Sequence, residues 1–520
     1  MRMISLAKKI ISFFSRTDQT NRLQHERRLL ISFIVLSGLA IILTIMIGPW
    51  LTLGAVIGLA TVFITFVRPE IIVLLLAIYT PLEPFLLKFV PDDLYIFARY
   101  FPEILIYALV VVAIIKVRTH RGSMSTPLDL PFVLFLIVAM TSLVLNAVSA
   151  TTGLLGLRQI IRFILMFFVV SYLDPDQDQI RFFLKAMFVI VVFEGLLGLV
   201  QSFFGAPLDE FLIPSERRFF ESIQLTTGTE QSWSPGTRVF ATLGRFDQLG
   251  TFLSLFFLTA IGLLYKLKNQ LDRRRLMLVI GLAAPALILT LSRASWFGFM
   301  LGLLVISVIL MRDNRIRLAF LALVIFAGTY LAYSGLAVRY LVDYPEQTVV
   351  ERFFEAFSYE RWRGEYYGFG RLYWMVQTVT VVMPSAPLFG VGPGQYGGGA
   401  AAALGNSRAY QELNLPFGVY GTEGYIDNNW FSLWGETGTL GFIFYIWMFV
   451  ALGSMGLKVS RTAKNPLASG LALGLIGCIF AVTLQAFLGT YLEMRTLALY
   501  FWVLAAFVFV LARREGIFGK

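Results

Sequence analysis

The stretch GYIDNNWFSLWGETGTLGFIFYIWMFVALG, residues 424–453, opens with an acid and two amides and runs straight into an apolar segment. From Asn429 onward that segment is long enough to cross a bilayer, which takes about 17 to 25 predominantly apolar residues. Asp427, Asn428 and Asn429 therefore stand at the mouth of a membrane span. Similar runs recur along the chain, about fourteen in all, from 29–48 to 467–490 and 496–512. The run at 70–90 is interrupted by Pro81, Glu83 and Pro84. Of the 520 residues, 57% are hydrophobic and 14% charged, which excludes a soluble core wrapped in a polar surface. The expected fold is all-α: a polytopic helical membrane protein of about fourteen transmembrane helices. One large outer loop separates the helix ending near 335 from the one starting near 429.

Lys and Arg near span ends report orientation. Lys116/Arg118/Arg121, Lys266/Lys268/Arg273/Arg274/Arg275, Arg312/Arg315/Arg317, Lys458/Arg461/Lys464 and Arg513/Arg514 all fall on the side of the basic N-terminus when the spans are threaded. Both termini are thus expected in the cytoplasm of a multi-pass protein of the inner or plasma membrane. Residues 1–28 read as a basic amphipathic lead and 29–520 as a single integral membrane domain. No small-residue cleavage site follows the first run, so it reads as a retained anchor. The net charge of +11 is this topology signal together with attraction to anionic membrane lipids, and implies no nucleic acid.

Threading leaves two long extracytoplasmic segments, about 205–247 and 335–428, rich in Trp, Tyr, Phe and Arg. Loops of such length are functional or disordered, and aromatic content argues against disorder. Arg217, Arg218, Arg238, Arg245, Arg339, Arg352, Arg361, Arg363 and Arg371 all lie there, where topology does not require cations. Either a ligand does, or they pair with Glu216, Glu351, Glu355, Glu360 and Glu365. LILTLSRASWFGF puts Arg293 at a tight outer turn, and GLRQIIRFILMFF puts Arg158 and Arg162 one helical turn apart. An arginine at that depth faces a polar site or snorkels to the headgroups.

Absences narrow the chemistry. The only histidines, His25 and His120, fall on the cytoplasmic side, which excludes an outward histidine base or histidine-ligated metal. DPDQDQ, from Asp174, lacks the glycine and closing glutamate of a calcium loop. No Gly-rich phosphate loop ends in Lys-Ser or Lys-Thr, so ATP is not the expected energy source. The single cysteine, Cys478, can form no intramolecular disulfide.

The order of motifs resembles the O-antigen ligase and polymerase superfamily. GLRQIIRF is followed by FEGLLGLVQSF, RVFATLGRFDQLGTF and LTLSRASWFGFMLGLL, then by GRLYWMVQTV and PLFGVGPGQYGG in the large loop, and finally by DNNWFSLWGETGTLG. The resemblance spans about residues 155–455. Family ligases carry a histidine, a polar residue such as asparagine, nine residues, then Gly-x-x-Gly. Asn428, Gly438 and Gly441 keep that spacing, and Asp427 stands where the histidine would be.

The resemblance implies an extracytoplasmic inverting transferase that needs no metal, nucleotide or other cofactor. It would take a glycan from an undecaprenyl-diphosphate carrier and pass it to a hydroxyl of a glycan or lipid-core acceptor, among envelope polysaccharide assembly proteins. A diphosphate leaving group suits bidentate cations. The resemblance implies Arg293 and Arg371 as phosphate-binding residues; with Asp427 as base they are the candidate catalytic residues, and Arg158, Arg162, Arg238, Arg245 and Asn428 are the candidate substrate-binding set. Asp427 could equally cap the helix that follows it. Many spans, Pro-broken helices and intramembrane Glu194 also suit a lipid-linked glycan flippase or secondary transporter, although no internal repeat accompanies them.

Overall fold

The computed structural model describes residues 48–119, 125–214, 219–220, 223–224, 236–333, 348–417 and 426–518. The lead at 1–28 and nearly all of the run at 29–48 lie outside them, as do Arg217, Arg218 and Arg339. The chain divides into two compact units, Met1–Phe63 and Ile64–Lys520. The first is described only from Gly48, through most of helix α1 (Pro49–Val67). The second holds every site residue named above.

Its long helices are α2 (Pro69–Leu87), α3 (Asp92–Thr119), α4 (Asp129–Leu145), α5 (Ala150–Ile161), α6 (Ile164–Leu173), α7 (Gln177–Phe204), α8 (Phe246–Lys266), α9 (Gln270–Leu289), α10 (Arg293–Leu303), α11 (Asn314–Tyr333), α12 (Asn429–Thr462), α13 (Pro466–Leu488) and α14 (Arg495–Arg514). Each expected run within the described residues is helical, but the count of fourteen spans is not reproduced. Among the described residues, eight helices are long and apolar enough to cross a membrane, or nine if α5 and α6, bent by 57°, form one span. The helices α9 and α11 fall outside that set, with Arg273–Arg275 and Arg315/Arg317 in their opening turns. A two-residue antiparallel pair, Phe219–Phe220 with Ile223–Gln224, is the strand structure among the described residues.

The proline-broken run is a continuous helix. Pro81 has no N–H to give to the Ala77 carbonyl, and the Tyr500 hydroxyl from α14 donates to it instead, at 2.7 Å. Helix α14 is buried along almost its whole length, and α8 packs on α13 through small residues. A Cβ at Gly262 would approach the Gly474 nitrogen to 2.3 Å, so glycine is what lets these two backbones touch.

Two glycine motifs explain each other. Within α12, Gly438 leaves helical geometry at φ 66°, ψ −174°. The PLFGVG segment lies in the opening: Thr439 and Leu440 N–H donate to the Pro387 and Leu388 carbonyls, and Val391 and Gly392 N–H donate to Gly435 and Glu436. A Cβ at Gly438 would meet that backbone at 2.4 Å. The glycines of GVGPGQYGG thus shape a docked turn, with Gly390, Gly392, Gly394 and Gly397 all at positive φ.

Basic helix ends gather at one end of this unit: Lys266 reaches the Ser460 carbonyl, and Arg513 and Arg514 reach Asp174. The starts of α8, α10, α12 and α14 share the other end with the large loop.

Candidate functional site

The large loop is a built structure. Short helices Val349–Phe354, Tyr359–Tyr367 and Arg371–Gln377 carry its cations, and Trp374, Tyr396, Tyr410 and Ile426 form a buried core beneath them. The Tyr396 hydroxyl shares a hydrogen bond with Thr378, and that of Tyr410 accepts from Gly397 N–H.

On this frame the arginines form a chain bridged by glutamates. Glu355 receives Arg293 at 3.0 Å, Arg352 at 2.6 Å and Arg361 at 3.7 Å. Glu365 receives Arg361 and, at 3.2 Å, Arg371. It also accepts the Arg371 backbone N–H at 2.9 Å. The other side of the Arg371 guanidinium is paired with Asp427. The pairing reading therefore holds for Arg352, Arg361 and Arg371, whose partners are Glu355 and Glu365, and these pairs bring together cations from separate elements. Arg293 is the first residue of α10, whose cap is Ser292, so its charge adds to the positive end of the helix dipole.

Burial lowers the Arg352 guanidinium to about 10, helped by nearby Arg238 and opposed by Glu355. Burial also acts against a charged Arg371, but Asp427 and Glu365 outweigh it and hold this group above its usual range. A second pair, Arg245 with Asp247, makes two contacts at 3.0 and 3.1 Å. Arg238 lies over the Phe246 ring at 4.1 Å. Among the described residues, the guanidinium groups of Arg238, Arg245, Arg293, Arg352, Arg361 and Arg371 gather with the carboxylates of Asp247, Glu355, Glu365 and Asp427. A dense cation cluster of that kind attracts an anion of matching charge.

The opening triplet divides its labour. Asp427 is not the helix cap; Asn428 is, its Oδ1 accepting the Trp430 and Phe431 N–H groups. Its Nδ2 donates to the Phe487 carbonyl at 2.9 Å, so both polar atoms of this fully buried side chain are occupied by protein. Asn429 clamps the turn before α14, its Oδ1 accepting from Leu492 N–H at 2.8 Å. Asp427 keeps 45% of its side chain exposed beside Arg371, which keeps 26%. Removing the cap with Asn428→Ala should destabilise the protein by about 1 to 2 kcal/mol. The thermal inactivation midpoint in detergent measures this, and Asn428→Asp, which keeps the capping oxygen, should recover most of the loss.

Arg158 and Arg162 lie elsewhere. Both bind Glu103, at 2.5 and 2.7 Å, and Arg495 joins them at 2.9 Å. Arg495 also binds Glu83 at 2.5 Å, and Arg99 does so at 2.8 Å. Arg162 sits at the α5–α6 bend and reaches the Glu493 carbonyl at 2.8 Å. This buried network ties α2, α3, α5 and α14 together. Sequence reasoning saw Glu83 only as an interruption of a span and missed Glu103 and Arg495, whose signal was charge within an apolar run. Glu194 and Gln201 also acquire a structural account: Glu194 binds Thr242, and Gln201 accepts from Phe240 and Ala241 N–H, holding the RVFATL turn that presents Arg238 and Arg245.

No curated protein matches the chain. Residues 276–446, from α9 through the large loop into α12, match a family model described as O-antigen ligase. That region contains Arg293, Arg371, Asp427 and both docked glycine motifs, whereas Arg158, Arg162, Arg238 and Arg245 precede it. Residues 276–446 thus form a domain of the O-antigen ligase family, a family of membrane enzymes that transfer glycans.

Proposed function

We propose that the protein is an extracytoplasmic inverting glycosyltransferase that moves a glycan from an undecaprenyl-diphosphate-type carrier to an acceptor hydroxyl, as a polysaccharide polymerase or an O-antigen ligase. The observation that carries this reading is the ion-paired chain from Arg293 through Glu355, Arg361 and Glu365 to Arg371 and Asp427. It sets a half-exposed carboxylate directly against a guanidinium in a cluster of arginines.

In the proposed step, the acceptor oxygen attacks the anomeric carbon from the face opposite the phosphate. The bond from that carbon to the phosphate oxygen breaks, and the electron pair leaves with the lipid diphosphate. Asp427 takes the acceptor proton, while Arg371 and Arg293 stabilise the charge growing on the leaving group. Arginine suits this role because it stays charged and binds phosphate with two parallel donors. The cations supply what a divalent metal would otherwise supply.

The test is a reaction of purified protein with a polyprenyl-diphosphate-linked glycan and an acceptor glycan. Covalent transfer with inversion, persisting in a chelator, supports the reading; movement of the lipid between leaflets without bond formation would replace it with a flippase. Orientation is tested separately. A reporter after Arg275 or Arg317 should read cytoplasmic and one near Gly398 external, and a cytoplasmic signal at Gly398 would remove the active face.

A further inference from the structure

The turn between α13 and α14 presents one aromatic side chain to this site. Tyr491 opens a short helical turn, Tyr491–Glu493, and its side chain is only 5% exposed. The turn is held from three directions. Asn429 takes the Gly489 carbonyl with its N–H at 3.3 Å and the Leu492 N–H with its side chain. Gly399 N–H and the Gln159 amide donate to the Glu493 carboxylate at 3.0 and 2.9 Å, and Arg162 donates to the Glu493 carbonyl. Gly489 makes room for the ring: a Cβ there would lie 2.6 Å from Tyr491 Cε2.

The Tyr491 hydroxyl makes no hydrogen bond with the described residues, and while its ring is buried its oxygen is not among the enclosed atoms that lack a partner, so it opens to the space outside the protein. A phenol whose ring is packed and whose oxygen is open is available to hydrogen-bond a bound molecule. Its electrostatic neighbours are Asp247, Asp427, Arg371 and Arg245, the members of the two Arg–Asp pairs. Burial, then Asp247 and Asp427, push this phenol well above its ordinary range, so it is a neutral O–H donor, not a base. Both carboxylates are already held by arginines, and the chemistry that remains for a donor here is an anionic oxygen.

We propose that the Tyr491 hydroxyl donates a hydrogen bond to the diphosphate of the lipid-linked donor, alongside Arg371 and Arg245. This rests on the transferase reading above and adds a substrate-contacting residue outside the 276–446 family region.

Tyr491→Phe tests it, because only the hydroxyl is removed and the ring keeps its berth. The probes are undecaprenyl diphosphate and undecaprenyl monophosphate, titrated against the full-length purified protein, together with glycan transfer. The expected result is about tenfold weaker binding of the diphosphate, a smaller loss for the monophosphate and about tenfold lower turnover. The KM for acceptor and the thermal midpoint should stay unchanged. Parental diphosphate affinity in Tyr491→Phe overturns the proposal, as does a loss of turnover with diphosphate binding intact. A parental protein that transfers glycan while Tyr491→Phe matches it sinks Tyr491 alone; a parental protein that neither binds the diphosphate nor transfers sinks the transferase reading with it.

Discussion

Arg371→Ala should slow glycan transfer by about a hundredfold or more while leaving the protein folded. Losing a charge-assisted contact to a developing anion costs on the order of 3 to 4 kcal/mol of transition-state stabilisation in a water-poor site. The fold should tolerate the change because the backbone N–H of residue 371 still reaches Glu365, and Glu365 keeps Arg361 as a partner. Lysine should rescue poorly. The guanidinium binds Glu365 through one nitrogen and Asp427 through the other, and a single ammonium cannot span both. The measurement is kcat and KM for a lipid-linked donor, with a melting curve as the folding control. Near-parental turnover in both Arg371→Ala and Arg293→Ala would leave the cation cluster without a catalytic role.

Asp427→Asn should have an effect of similar size, about a hundredfold or more on turnover, with donor binding retained. The structure sharpens this experiment because the helix cap belongs to Asn428. A loss of activity in Asp427→Asn therefore cannot be ascribed to a frayed α12, and its melting midpoint should stay close to the parental one. Asp427→His, which restores the pair that family ligases carry, should keep partial activity with an altered pH profile. A general base works only when unprotonated. A carboxylate is unprotonated above about pH 4, an imidazole only above about pH 6.5. The acid limb should therefore move upward in the histidine variant. Parental rates in Asp427→Asn would pass the role of base to another carboxylate of the cluster, with Asp247 the next to test.

The membrane-spanning helices were legible because the cost of exposing backbone to lipid forces any long apolar run into a helix, whatever surrounds it. The count was less so. Charges in the opening turns of α9 and α11 and the bend at Arg162 are local departures that a run-length reading smooths over. Pro81 and Pro84 seemed to break a span, and only Tyr500, more than four hundred residues away in the chain, shows how the freed carbonyl is satisfied.

The site divides along the same line. Residue type drew attention to Arg293 at a tight turn and Asp427 at a span mouth, and the resemblance to a known family added Arg371 to them. Residue type could not say which partner each charge takes, because ion pairing is decided by packing between segments far apart in sequence. Arg371 meets Asp427 across 56 residues, and Arg158 and Arg162 turn to Glu103 because the α5–α6 bend brings them to α3. Asn428 and Asp427 are adjacent and equally polar, yet the backbone geometry at the start of α12 gives the cap to one and leaves the other beside a cation. Tyr491 carried no signal at all in the sequence, being one tyrosine among 21, until Asn429 and Gly489 fixed its turn against the two Arg–Asp pairs. Local chemistry determined that this chain is a helical membrane protein; tertiary packing decided which of its charges meet, since only there are burial and distance set.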